Sequence, residues 1–112
     1  MPPDDRVRLR HMIEMCEAAI GFVTDRQRHD LDSDTMLALA LVRAIEIVGE
    51  AAARMSAATR DRYGAVPWAL IVGMRNRLIH AYFDIDNDII WNSATRDIPA
   101  LLITLRRIEE GL

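Results

Sequence analysis

The segment TMLALALVRAIEIVGEAAARMS, residues 35–56, limits the fold more than any other part of the chain. Wound as a helix it is apolar around most of its circumference, so other elements must enclose it on nearly every side. The neighbouring segments can do so. From about Asp5 to Val23, the residues Leu9, Met12, Ile13, Cys16, Ala19, Ile20 and Val23 recur at helical spacing as one apolar face, with Arg6, Arg10, Glu14 and Glu17 opposite. The charged linker TDRQRHDLD follows, and Ser33 or Asp34 can cap the central helix, which runs to about Ser56. RDRYGAVPW breaks the pattern: Gly64 permits a turn, and Pro67 suits the first turn of a helix carrying Trp68, Ile71, Val72 and Met74. DIDNDIIWNSATRD reads as a turn and a short helix containing Ile89, Ile90 and Trp91. The last helix starts near Pro99 and buries Ile98, Leu101, Leu102, Leu105 and Ile108. No strand pattern competes. The expectation is one all-α domain over residues 1–112, an antiparallel bundle of four to five helices.

Composition narrows what such a bundle can do. Hydrophobic residues make up 51% of the chain, yet no apolar run approaches the ~20 residues that a membrane span requires. The opening MPPDDRVRLR lacks the apolar segment of a secretory leader, so a cytoplasmic location is expected. Cys16 is the single cysteine, cannot form an internal disulfide, and falls among core positions. Acidic residues outnumber basic ones 17 to 14, and no global positive field draws the chain to nucleic acid. Any such contact has to be local. All the basic residues are arginines, whose forks suit phosphate oxygens or carboxylates, although a GC-rich genome produces the same bias.

The polar exceptions on the central helix form a pattern. Arg43, Glu46, Glu50 and Arg54 follow at steps of three, four and four, which lines them up on one stripe. Two readings stand side by side: an ion-paired solvated edge, or a stripe that faces a partner subunit or supports an active site.

The stretch GMRNRLIHAYFD, Gly73 to Asp84, concentrates the remaining chemistry. On an uninterrupted helix, Arg75, Leu78, Ile79 and Tyr82 gather on one side, while Asn76, His80 and Phe83 gather on another. Arg75 and His80 would then meet only if the helix bent near Gly73, or if two copies converged across a two-fold axis. Asn76 would sit one turn before His80, within reach of its ring. A neutral imidazole can take a proton from a hydroxyl, and arginines can stabilise charge developing on a phosphate without a metal. A helical histidine is more often structural than catalytic, and spacing alone leaves both open.

Here the chain resembles the HepT-like family of the HEPN superfamily, small all-helical proteins of bacterial and archaeal toxin-antitoxin modules. The resemblance rests on arginine, any four, histidine, any one, tyrosine, as Arg75, His80 and Tyr82, with Asn76 after the arginine, and on RAIEIVGEAA, Arg43 to Ala52, in the central helix. It covers nearly the whole chain. It implies a homodimer whose two Arg75 and His80 pairs share one cleft, and metal-independent, cofactor-free endonuclease action on RNA. Arg75 would bind and polarise the scissile phosphate, Asn76 would orient the histidine or the phosphate, and His80 would activate the ribose 2′-hydroxyl, which DNA lacks. Arg77 could add affinity for RNA phosphate or be merely solvated. Tyr82 would be the residue to which a cognate minimal nucleotidyltransferase, the antitoxin of a type VII-like module, transfers AMP. Such a nucleotide-bearing phosphoprotein would carry negative charge beside Arg75 and lose its grip on RNA. A non-catalytic module that partners a nucleotidyltransferase or a nucleotide would keep the same motif.

Other candidates have plainer readings. Asp84, Asp86 and Asp88 alternate, but an EF-hand wants glycine at its sixth position and glutamate at its twelfth, where this chain has Ile89 and Thr95. Helix capping around Asp86 is the better account. His11 and His29 lack a ligand cluster, and Trp68 and Trp91 sit on apolar faces expected to be core or interface.

Overall fold

The computed structural model describes residues 1–81 and 84–112, with the backbone alone for 79–81. The chain is an all-α antiparallel bundle with one short two-stranded ribbon. Helix α1 spans Pro3–Val23, α2 Asp30–Ser33, α3 Thr35–Arg54, α4 Ala57–Arg62 and α5 Trp68–Leu78. Strands β1 (Ile79–Ala81) and β2 (Asp84–Ile85) pair antiparallel, with Ile79 opposite Ile85 and Ala81 opposite Asp84. Helix α6 (Asn87–Asn92) then runs through a π turn, Ser93–Asp97, into α7 (Ile98–Glu110).

Helix α3 is enclosed as its sequence demands. Leu41, Ile45, Val48 and Ala52 are buried along it, against Leu9, Met12, Ile13 and Cys16 of α1 and Ile71, Met74 and Leu78 of α5. Ile98, Leu101, Leu102 and Leu105 of α7 close the core from the α1 side. Burial pushes the Cys16 thiol up to about 12, which leaves it protonated and inert. Trp68 is buried and donates from Nε1 to the Tyr63 carbonyl at 3.1 Å, so it is core rather than a stacking platform.

Between the expected helices the structure adds elements that periodicity does not announce. The end of the TDRQRHDLD linker is the single helical turn α2, and Asp34 rather than Ser33 caps α3, accepting from the Leu37 amide at 3.1 Å. Helix α3 ends at Arg54, and Ser56 caps a separate α4 by accepting from Thr59 N at 3.3 Å. Asp86 caps α6 through Ile89 N at 3.1 Å, while Asp88 pairs with Arg28 at 2.7 Å, so both acids serve the fold. Residues 87–110 are continuously helical, so the last helix has no fresh start near Pro99. Proline offers no N–H to the Thr95 carbonyl one turn earlier, and its ring pushes that carbonyl aside. The π turn just before it, closed by Ile98 N–H on Ser93 O, widens the helix and accommodates the intrusion.

Gly49 sets how closely α5 approaches α3. A Cβ there would lie 3.2 Å from the Ile71 carbonyl oxygen and 3.7 Å from that of Val72. Alanine should be nearly neutral, because its helix propensity, favourable by about 1 kcal/mol, offsets a small shift of α5. Valine must displace the backbone of α5. We expect Gly49→Val to cost about 1–3 kcal/mol and to lower the thermal midpoint by roughly 4–20 °C, against little change for Gly49→Ala. Equal midpoints for both variants would show that α5 is not seated on this glycine.

Candidate active site

The helix of the charged stretch stops at Leu78, five residues short of Phe83. The apolar spacing would carry it on, but the Leu78 carbonyl accepts instead from Asp86 N at 2.8 Å, where the chain returns after the ribbon. The expectation of one helix through Arg75, His80 and Tyr82 is therefore corrected. With β1 beginning at Ile79, Asn76 is not one helical turn before His80, and no bend at Gly73 is involved, since Gly73 lies inside regular α5. His80 is on β1, and its side chain lies outside what the structure describes; Tyr82 lies outside the described residues altogether.

Arg75 and its two C-terminal neighbours face different ways. Arg75 reaches across to α3, where Glu46 Oε2 accepts from its Nε at 3.1 Å. Glu46 is 18% exposed and also lies 3.9 Å from Arg43 Nη1, which donates to Glu50 Oε1 at 3.2 Å. The stripe seen in the sequence is thus ion-paired, and it is joined to Arg75 as well. The ion pairs join four residues in one row, Arg75, Glu46, Arg43 and Glu50, whose formal charges cancel. Arg54, the last member of the stripe, forms no ion pair with a described residue and lines a separate groove with Arg8 and His11.

The way Glu46 holds Arg75 matters more than its contribution to stability, because pairs this exposed stabilise little. Engaging Nε fixes the plane of the guanidinium. Among the described residues nothing accepts from Nη1 or Nη2, and the side chain is 54% exposed, so the outer edge of the fork is open to a ligand. That edge fits two oxygens of one phosphate. Sequence spacing displayed Glu46 without revealing this role, since its partner is 29 residues away on another helix.

Asn76 and Arg77 sit on the far side of α5 from that contact. They line a cleft of about 440 Å³ together with Ile89, Asn92, Ser93 and Asp97. Arg77 donates from Nη2 to the Leu70 carbonyl at 3.2 Å and keeps its remaining donors. His11 is exposed, and His29 stands 3.8 Å from Asp30 on the surface. Among the described residues no three histidine, cysteine or acidic side chains gather as metal ligands, and no helix is long and apolar enough to cross a membrane.

Comparison with known proteins gives this geometry a setting. The family described as "Ribonuclease HepT-like" matches residues 12–108. The chain is 38% identical over 96 residues to "Putative RNase TTE0752" of Caldanaerobacter subterraneus subsp. tengcongensis, covering 86% of each protein. It is 34% identical over 98 residues to "Putative RNase MJ1380" of Methanocaldococcus jannaschii, covering 88% of this chain and 90% of that one. With "Probable ribonuclease HepT" of Thermococcus cleftensis it shares 32% identity over 93 residues, 83% of this chain and 84% of that protein. No solved structure matches the chain significantly. The match takes in α3, α5 and the stretch from Arg75 to Tyr82, and on that ground the chain belongs to the HepT-like ribonuclease family.

Proposed function

We propose that this protein is the ribonuclease toxin of a toxin-antitoxin module, a metal-independent endoribonuclease. The observation that carries the proposal is Arg75, held by Nε against Glu46 with its outer edge free, in a chain of the HepT-like family. In this reading Arg75 receives the scissile phosphate and stabilises the charge that builds on its oxygens. His80 takes the proton of the ribose 2′-hydroxyl. The 2′-oxygen forms its bond to phosphorus as the bond to the 5′-oxygen breaks, and the leaving oxygen receives a proton. The products are a 2′,3′-cyclic phosphate and a free 5′-hydroxyl. Asn76 orients His80 or the phosphate, and Arg77 adds a contact to RNA.

Two copies of the chain bring their Arg75 and His80 pairs into one cleft in this scheme. Because the charges of Arg75, Glu46, Arg43 and Glu50 cancel, recognition rests on direction more than on net charge, and unassisted RNA binding is weak. A cognate minimal nucleotidyltransferase silences the enzyme by forming an adenylyl ester on Tyr82 from a nucleoside triphosphate, with pyrophosphate leaving. The new phosphate then competes for the open edge of Arg75.

The test is RNA cleavage by purified protein in excess chelator, beside His80→Ala. Wild type should leave cyclic phosphate and 5′-hydroxyl ends, and the variant should lose about 10²–10⁴ of the rate. Equal activity in both proteins would sink the assignment of His80. A folded wild type that cleaves nothing would leave a module that binds a nucleotidyltransferase without acting on RNA. Coexpression with a neighbouring nucleotidyltransferase, read by intact mass, should add adenylyl increments to wild type and none to Tyr82→Phe.

A further inference from the structure

Helix α5 packs on α3 and α7 packs on α1, which leaves a furrow between α5 and α7. Its middle, about 280 Å³, is apolar: Pro67, Leu70 and Met74 line one side, and Ala100, Leu101 and Thr104 the other. Leu70 is 59% exposed. Ile103, at 54%, stands between Ala100 and Arg107 at helical spacing and so extends the rim. Thr104 also borders a wider space of about 540 Å³ lined by Arg62, Tyr63 and Arg107, while Arg77 and Asp97 close the opposite end. The furrow therefore follows α7 from Asp97 to Gly111, a run of roughly 20 Å or about four helical turns.

The two ends differ in charge. At one, Arg77 and Asp97 cancel. At the other, Arg62 and Arg107 stand in a lining without a carboxylate, and neither forms an ion pair with a described residue. Contiguous exposed apolar surface of this kind marks an interaction site, and charge decides among the occupants that would bury it. A second copy packed about a two-fold axis would set the arginine pair against its own counterpart or against the neutral end, and in both cases leave it without carboxylates. A nucleic acid would gain from the arginines but would lay its phosphates across Leu70 and Met74 and past Asp97. A helix from another protein meets both demands, with apolar residues at i, i+3 and i+7 in the strip and carboxylates at one end.

We propose that the furrow between α5 and α7 docks an amphipathic helix of a partner protein, about four turns long, with its acidic end on Arg62 and Arg107. That end is the first turn of the partner helix, where carboxylates also favour helix formation, so the helix runs antiparallel to α7. The furrow lies on the Arg77 side of α5, away from the contact between Arg75 and Glu46, and its occupant leaves the outer edge of Arg75 open. The inference holds whether or not the protein cleaves RNA.

The probe is a fluorescent peptide of this design, stapled as a helix, with leucines along one face and glutamates in the first turn. It is titrated with the full chain, beside a version carrying lysines in place of the glutamates. Wild type should prefer the acidic peptide by roughly ten-fold or more. Arg62→Glu combined with Arg107→Glu should reverse that preference, a result that loss of structure cannot imitate. Leu70→Ser should weaken both peptides. Equal affinity for the two peptides, binding of neither, or a preference that the double variant leaves unreversed overturns the proposal. Two further outcomes overturn it in favour of another occupant. A dimer in sedimentation that Leu70→Ser dissociates would give the furrow to a second copy. Displacement of the peptide by oligouridylate, lost in the double variant, would give it to nucleic acid.

Discussion

Arg75→Ala protein should cleave RNA with a kcat/KM lower by about 10²–10³, with the loss mainly in kcat, while its thermal midpoint stays within a few degrees of wild type. The side chain is more than half exposed and touches α3 only through Glu46, so its removal leaves the core intact. What it removes is the donor edge that faces the phosphate. Arg75→Lys should be almost as impaired, because a single ammonium cannot bond to Glu46 and also present two parallel N–H groups to phosphate oxygens. The same logic extends to Glu46. Glu46→Gln keeps an oxygen for Nε and should retain much of the rate, whereas Glu46→Ala frees the guanidinium to rotate and should lower kcat by about ten-fold or more. Steady-state kinetics on one RNA substrate, with melting curves for each variant, provides the check. A Glu46→Ala protein more active than wild type would reverse the picture, since it would mean that Glu46 competes with RNA for Arg75.

How much of this was legible in the sequence depends on how local each determinant is. The long helices follow from apolar spacing within them, and α3 was recognisable as the central element because too few of its residues are polar for an exposed face. Helices α2 and α4 are four and six residues long, too short and too polar to show a period. The end of α5 is set by a hydrogen bond from Asp86 to Leu78, eight residues back, and nothing in the apolar pattern of Leu78, Ile79 and Tyr82 marks it. Arg75 and Asn76 were visible as candidates, but their divergence, one toward Glu46 and the other toward the π turn, depends on what packs on each side of α5. Asn92, Ser93 and Asp97 stand in no spacing that singles them out. Pro99 was the available signal, because a proline inside a continuous helix demands a local irregularity, and irregular turns gather polar groups.

Asp5 marks only the approximate start of the first helix in the sequence, and its burial leads to the second large effect. It is 1% exposed, and its carboxylate accepts from Ser56 Oγ and Thr59 Oγ1, each at 2.6 Å, from Ser56 N at 3.3 Å and from Arg8 Nη1 at 3.0 Å. Burial alone would raise its pKa. The bonds from Ser56, Thr59 and Arg8 outweigh that and hold it at about 2, below the ordinary 3.8. A carboxylate with a lowered folded-state pKa stabilises the fold fully above its unfolded value and loses that contribution as pH falls through the folded one. Asp5→Ala leaves two hydroxyls and an amide at the α1–α4 junction without their acceptor. We expect it to cost about 2–4 kcal/mol at pH 7 and to lower the thermal midpoint by roughly 8–25 °C. The gap between wild type and variant should be constant from pH 7 down to about 4 and narrow toward pH 2, as wild type gives up what the variant never had. Thermal melts of both proteins across that range decide the matter. A gap that stays the same down to pH 2 would mean that the neutral acid holds α1 to α4 as well as the carboxylate does, and that the junction owes its strength to packing around Asp5 rather than to its charge.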